Sequence, residues 1–265
     1  MFLQHGVTKD DISNWMCRRN KNLAGFVTAA YPEYNSILHG DYDYTEKQVW
    51  LTGFPRFDRR EDHKEKTIYI MPTWRKYLLD HWDKDTDTWV AKPGLEKSDY
   101  VVFYKKLLNS EKLFAAARKY GYKIVFFPHP TFQTFLNKFG GHRDLVVATK
   151  FTSYNEVYSK ASLVVTDYSS AVFDMVYMYK PVLYTQFDKE KFFHGEHVYT
   201  KGYFDYERDG FGEVEYDLDS TVDRIIEYMA NDCQLKEKYR KRIDNFFAFH
   251  DKNNCQRVYL SLIHI

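Results

Sequence analysis

From residue 67 onward, short apolar runs of four or five residues alternate with amphipathic stretches of helical character. Such alternation marks a parallel sheet with helices on both faces. Thr67-Ile68-Tyr69-Ile70-Met71 reads as a strand stopped by Pro72, and residues 107–120, with Leu108, Leu113, Ala116 and Ala117, as a helix closed by Gly121. Lys123-Ile124-Val125-Phe126-Phe127 is the next strand, ending at Pro128-His129-Pro130. A strand over 145–148, a helix over 154–161, a strand over 163–166, a helix over 170–179 ending before Pro181 and a strand over 182–184 continue the series. Beyond residue 221 the chain reads as helical in two or three pieces. The pattern predicts an α/β fold containing one complete Rossmann-like domain.

Residues 1–60 differ. Gly25-Phe26-Val27-Thr28 and Val49-Trp50-Leu51-Thr52 are strand-like but too few for a complete domain, so they read as the last part of a preceding α/β unit. The charged run over 59–66 reads as a linker, although a solvated helix face would carry the same charges. The expected organisation is a partial N-terminal Rossmann-like unit over 1–60, a complete domain over 61–250 and a terminal helix over 251–265.

Composition narrows the function classes. With 44% hydrophobic and 18% aromatic residues in 265, the chain can fill a substantial core and is not of disordered type. A formal net charge of +1 gives no global field for wrapping nucleic acid, so local basic groups must carry any phosphate recognition. Cys17, Cys233 and Cys255 are widely spaced, which suggests neither a zinc site nor a disulfide framework and fits a reducing cytoplasm. No apolar run approaches the roughly 20 residues of a spanning helix, so a soluble or membrane-peripheral chain is expected. Trp74-Arg75-Lys76-Tyr77 reads either as a loop that grazes lipid headgroups or as an ordinary exposed loop.

In an open α/β sheet ligands bind beyond the carboxyl ends of the strands, where four segments carry polar groups. They are His5-Gly6 after Phe2-Leu3-Gln4, Pro72-Thr73-Trp74-Arg75, His129, and Thr166-Asp167-Tyr168-Ser169-Ser170. In the last, two hydroxyls at a strand-to-helix turn lie beside free helix N–H groups, an anion site in kind; either serine reads equally as a helix cap. His5 and His129 are candidate proton acceptors near pH 7, and Arg56 and Arg75 candidate forked partners for a phosphate. His39, His63, His81, His142, His194, His197, His250 and His264 have no comparable setting and stay unassigned. No GxGxxG, GxxxxGK[ST] or HExxH occurs, and the Asp-rich stretches at 41–43 and 83–87 read as solvated loops rather than calcium loops.

At these strand ends the sequence resembles the CDP-glycerol glycerophosphotransferase family of teichoic-acid synthesis. The matching pieces, in order, are His5-Gly6, Gly53-Phe54-Pro55-Arg56-Phe57-Asp58, Pro72-Thr73-Trp74-Arg75, His129-Pro130, Thr166-Asp167-Tyr168-Ser169-Ser170 with Phe173-Asp174, and Lys180-Pro181-Val182-Leu183-Tyr184 leading to Asp188. The resemblance implies a GT-B arrangement of two facing Rossmann-like domains, and a chain that begins at the His-Gly motif without most of the upstream domain. It implies transfer of glycerol phosphate or a related polyol phosphate from a CDP-linked donor to a lipid-linked or polymer acceptor. That activity is cytoplasmic or peripheral at the inner face of the cell membrane, and it involves no nucleic acid, metal or cofactor. His5 would be the general base and His129 would assist at the donor pyrophosphate. Gly6, Arg56, Pro72, Thr73, Ser169, Ser170 and Asp174 would hold the donor, with Arg75, Thr166 and Asp167 as further candidates. The family commonly has Trp before the His-Gly pair and Thr-Pro after it, whereas here Gln4 precedes and Val7-Thr8 follow, which leaves acceptor and polyol open. A GT-B glycosyltransferase using a nucleotide sugar, and a non-catalytic nucleotide-binding module, are the alternative readings.

Overall fold

The structure, a computed structural model, describes residues 1–149, 151–194 and 200–264; His197 and Ile265 lie outside them. In chain order the elements are α1 Ser13–Met16, β1 Phe26–Thr28, α2 Tyr31–His39, β2 Val49–Leu51, β3 Thr67–Met71, β4 Leu79–Asp83 and β5 Thr88–Ala91. There follow α3 Asp99–Leu107, α4 Glu111–Tyr120, β6 Lys123–Phe126, β7 Val146–Val147, α5 Tyr154–Lys160, β8 Leu163–Thr166, α6 Phe173–Tyr177 and β9 Val182–Thr185. The last are α7 Lys189–His194, β10 Val214–Glu215, α8 Leu218–Ala230, α9 Glu237–Phe246 and α10 Asn254–Ile263.

Six strands form one parallel sheet in the order β10-β9-β8-β3-β6-β7. Successive side chains of a strand point to opposite faces, and both faces of the four central strands β9, β8, β3 and β6 are covered, so these run apolar instead of alternating. Ile68, Ile70, Ile124, Phe126, Leu163 and Val165 pack on one side with residues of α3, α4 and α8. Tyr69, Met71, Val125 and Val164 pack on the other with residues of α5, α6 and α9.

The helix expected over 107–120 is α4, which begins at Glu111; α3, which ends at Leu107, was not expected. Ser98 Oγ accepts the Val101 N–H at the start of α3, Ser110 Oγ accepts the Leu113 N–H at the start of α4, and Gly121, at φ +76°, ends α4. The acidic stretch at 83–87 is the turn of an antiparallel hairpin, β4–β5, absent from the sequence reading. The helix expected over 170–179 is a 3₁₀ turn at Ser170–Val172 followed by α6.

The N-terminal unit is built on a parallel pair, β1–β2, to which Phe2 adds a single parallel bridge at Phe26 in place of the strand expected at 2–4. The terminal helix α10 is fastened beneath it. Gly53 sits at φ +77° where a Cβ would come within 1.8 Å of Asn254 Oδ1, so only glycine brings the chain into the 3₁₀ turn Pro55–Arg59. Asp58 in that turn accepts the backbone N–H groups of Asn254 (3.0 Å) and Cys255 (2.7 Å) and the Asn254 side-chain amide (2.6 Å), capping α10 from outside its own segment. Asp58→Ala is expected to cost about 1–2 kcal/mol. The amides of α10 should then be the first to gain hydrogen exchange, while the central sheet stays protected.

Candidate functional site

The strand order sets the site. The chain leaves β3 toward β6 and β7 on one side, then returns to place β8, β9 and β10 on the other, so β3 and β8 flank a topological switch point. Loops leaving these two strands diverge and leave a crevice at their carboxyl ends. A cleft of about 420 Å³ opens there. It is lined by Pro72 and Thr73 after β3, His129 after β6, and Tyr168, Ser169 and Ser170 after β8, together with His5, Asp10, Arg56 and Arg60 from residues 1–60.

His5 is exposed, and its ring meets Phe2 edge-on at 5.7 Å. No hydrogen bond to the His5 ring is found among the described residues, so the imidazole is available to a ligand. The next residue packs closely: a Cβ on Gly6 would stand 3.3 Å from Ser170 Oγ, so the His-Gly loop and the Ser-Ser turn meet across the cleft. Gly6 thus brings two loops together and does not itself line the main cleft.

His129 is half-buried, and burial holds its imidazole below the usual pKa, neutral at pH 7. Its Nδ1 lies 3.0 Å from Thr131 Oγ1 and 3.3 Å from the Thr131 backbone N, so when Nδ1 accepts from Thr131 the ring proton sits on Nε2 as a hydrogen-bond donor. The Trp74 ring stacks on it at 6.0 Å.

Asp174, buried in the first turn of α6, collects two arginines. Arg56 forks onto it through Nε at 2.8 Å and Nη2 at 2.9 Å, and Arg60 Nη2 bonds the same carboxylate. Arg56 Nη1 also donates to the Gln4 carbonyl at 3.0 Å, tying the guanidinium to the residue before His5. Two guanidinium groups on one carboxylate leave a net positive charge on that wall, suited to a pyrophosphate. Asp174 lines the cleft and orients these cations, accepting from them through both of its oxygens.

Thr73 is held by its backbone N–H to Asp167 Oδ1 at 2.8 Å, and its buried Oγ1 has no hydrogen-bond partner among the described residues. Ser169 Oγ accepts the Ala171 N–H at 3.2 Å and so acts as a cap, leaving Ser170 as the hydroxyl opposite Gly6.

Three candidates lie beneath the cleft and do not line it. Arg75 is 0% exposed and bonds Asp188 through Nε at 2.7 Å and Asp167 through Nη2 at 2.8 Å. Asp167 also accepts the Tyr168 N–H at 2.7 Å, and Thr166 donates its hydroxyl to the Met71 carbonyl at 2.7 Å. This network ties the loop after β3 to the loop after β8. Residues 74–77 are not the exposed loop that either reading of them supposed: Arg75 is buried, Trp74 and Tyr77 are half-buried, and Lys76 is exposed.

Sequence reasoning missed Arg60, assigned to a linker because its neighbours are all charged, and Glu33. Glu33, fully buried in the first turn of α2, accepts the N–H groups of Thr8 (2.7 Å) and Ala29 (2.8 Å), fixing the segment after His5-Gly6. Burial pushes its carboxyl up to about 7, against the pull of those donors and of the Arg56 charge. Its folded pKa thus lies above the unfolded one, so the folded state holds the proton more tightly and stability falls as pH rises between the two values. From pH 5 to pH 8 this group should lower the unfolding free energy by about 2–3 kcal/mol. Urea unfolding at both pH values should show that slope in the wild type and a flatter one in Glu33→Gln.

Comparison with known proteins agrees with the geometry. A relative from Bacillus subtilis (strain 168), the minor teichoic acid biosynthesis protein GgaB, is 40% identical over 100% of this chain and 29% of its own length. The teichoic acid poly(glycerol phosphate) polymerase of the same organism is 25% identical over 88% of this chain and 28% of its own length. The chain thus spans less than a third of either relative. The solved wall teichoic acid polymerase TagF superposes with a TM-score of 0.66 over 98% of this chain and 66% of that one, at 16% identity, and shows the fold to be GT-B-like. The model of the CDP-glycerol:poly(glycerophosphate) glycerophosphotransferase family matches residues 4–264, and the chain belongs to that family.

Proposed function

We propose that this chain transfers glycerol phosphate, or a related polyol phosphate, from a CDP-linked donor to a hydroxyl of a teichoic-acid or capsule-like polymer, releasing CMP. The observation that carries the reading is the convergence on one switch-point cleft of an unencumbered histidine, His5, with the paired Arg56 and Arg60, His129 and Ser170. The family match, and a TagF variant solved with CDPG, support the donor class.

In this reading the donor pyrophosphate lies against Arg56 and Arg60, and the neutral His129 offers a ring N–H as a hydrogen-bond donor to a pyrophosphate oxygen. Thr73 and Ser170 supply hydroxyls to the donor, within the walls formed by Pro72 and the Ser169-capped turn. His5 takes the proton of the acceptor hydroxyl as that oxygen attacks the phosphorus bearing glycerol. The bond from that phosphorus to the bridging oxygen breaks, and CMP leaves with the electron pair. Catalysis rests on positioning and on charge stabilisation, as in other phosphoryl transfers. A lipid-linked or polymer acceptor at the inner face of the cell membrane belongs to the same proposal. No helix among the described residues is long and apolar enough to cross a membrane.

The test is incubation of labelled CDP-glycerol with a short glycerol phosphate primer. Labelled product and CMP in equal amounts are expected. Turnover of UDP-glucose instead would favour a nucleotide-sugar transferase, and binding of CDP-glycerol without turnover would favour a non-catalytic module.

A further inference from the structure

A group that takes a proton from one substrate while the other reacts must face both. His5 does border two cavities. One is the cleft already described; the other is a smaller groove of about 150 Å³ on the N-terminal side, and the two share His5, Asp10 and Ser170. With the donor in the larger cleft, the groove offers a second approach to the His5 ring.

The groove has a distinct chemistry. Phe2, Ile12 and Trp15 give it apolar walls, and Trp15 is 47% exposed although its neighbour Met16 is buried in the core of the N-terminal unit. An exposed indole face beside polar groups suits the C–H face of a polyhydroxylated chain. Asp10, held by Lys9, lies at the junction with the main cleft, an acceptor for a hydroxyl hydrogen.

Basic residues follow Trp15 in the chain. Residues 12–32 contain no Asp or Glu, and Arg18, Arg19 and Lys21, just beyond α1, are all exposed. Arg19 meets the Cys17 thiol and faces Asp43 at 3.8 Å, with Asp41 further off, contacts of little strength for an exposed guanidinium. A local run of cations on a chain of net charge +1 attracts a polyanion at close range.

We infer that the groove behind His5 is the acceptor subsite, in which Trp15 carries the terminal polyol of a phosphodiester-linked chain and Arg18, Arg19 and Lys21 meet its phosphates. This rests on the transfer reading above. The path is directional: the terminal hydroxyl enters at Asp10 and His5, and the older, charged part of the chain trails toward the cations. The fit to a phosphodiester polymer, as against a neutral sugar, comes from that basic run.

The experiment is titration of the full chain with a synthetic tri(glycerol phosphate), followed by Trp fluorescence and calorimetry, with CDP-glycerol titrated in parallel. Trp15→Ala is expected to weaken the oligomer about tenfold, and Arg18→Glu/Arg19→Glu/Lys21→Glu by more, with CDP-glycerol affinity unchanged in both. Oligomer binding should also weaken as salt is raised. Trp15→Phe, which keeps an aromatic face, should retain most of the affinity and guards against a mere folding defect. The inference is overturned if the wild type does not bind the oligomer, if the variants bind it normally, or if CDP-glycerol displaces it. It is also overturned if these cations bind anionic phosphatidylglycerol vesicles and not the oligomer. Failure of the transfer reading shows separately, as a wild type that does not bind CDP-glycerol.

Discussion

His5→Ala is expected to lower glycerol phosphate transfer by roughly 10²–10⁴-fold, the usual contribution of a general base, while CDP-glycerol affinity changes by less than about threefold. The split follows from the surroundings of the ring. His5 is exposed and touches Phe2 edge-on, and no hydrogen bond to it is found among the described residues, so its removal leaves the arginine pair and the loop backbone in place. The loop is held instead by groups on either side: Arg56 on the Gln4 carbonyl, Glu33 on the Thr8 N–H, and Gly6 against Ser170. Rates and affinities measured on the same preparation check it. Wild-type rates in His5→Ala would remove His5 as the base, and a large loss of donor affinity would make it a binding group.

Arg75→Met should cost about 3–5 kcal/mol, because it leaves Asp167 and Asp188 buried without their cation. That is a large share of the 5–15 kcal/mol that holds a typical domain together. Burial alone would lower the Arg75 pKa, but the charges of Asp167 and Asp188 win and hold it well above its ordinary value, so the guanidinium stays charged where no water reaches it. Tyr77 and Tyr168 also hydrogen-bond Asp188. Adding Asp167→Asn and Asp188→Asn should recover part of the loss, since neutral amides do not need a counter-charge. Denaturant unfolding of the single and triple variants measures both effects. A cost below about 1 kcal/mol would mean that the network does not hold the two loops.

The sheet was legible because its strands are buried on both faces: a run such as Leu163-Val164-Val165-Thr166 has no amphipathic alternative, and its limits agree with β8 residue for residue. Less legible were elements defined by long-range pairing. The strand β10 is two residues long and exists through its pairing with β9, and the hairpin β4–β5 carries charged, exposed positions that read as loop. The same division runs through the site. His5, Arg56, Thr73, His129 and Ser170 were singled out because each follows a stretch read as a strand, and strand ends are where α/β sheets bind ligands; all five line the cleft, although the stretch before His5 forms only a single bridge. Arg75 and Asp167 also follow strands, yet they point into each other; only the fold tells a group that faces the cleft from one that braces it. Arg60 was hidden in a charged run, and its role depends on Asp174, 114 residues away.

Calorimetric titration of CDP-glycerol into this chain, with UDP-glucose as the comparison and Arg56→Gln as the variant, tests the central claim most directly. The account predicts saturable binding of CDP-glycerol, none of UDP-glucose at the same concentrations, and at least about tenfold weaker binding in the variant, from loss of a forked charge contact. Equal binding of CDP-glycerol by the wild type and Arg56→Gln, or no binding by a folded wild type, would contradict it.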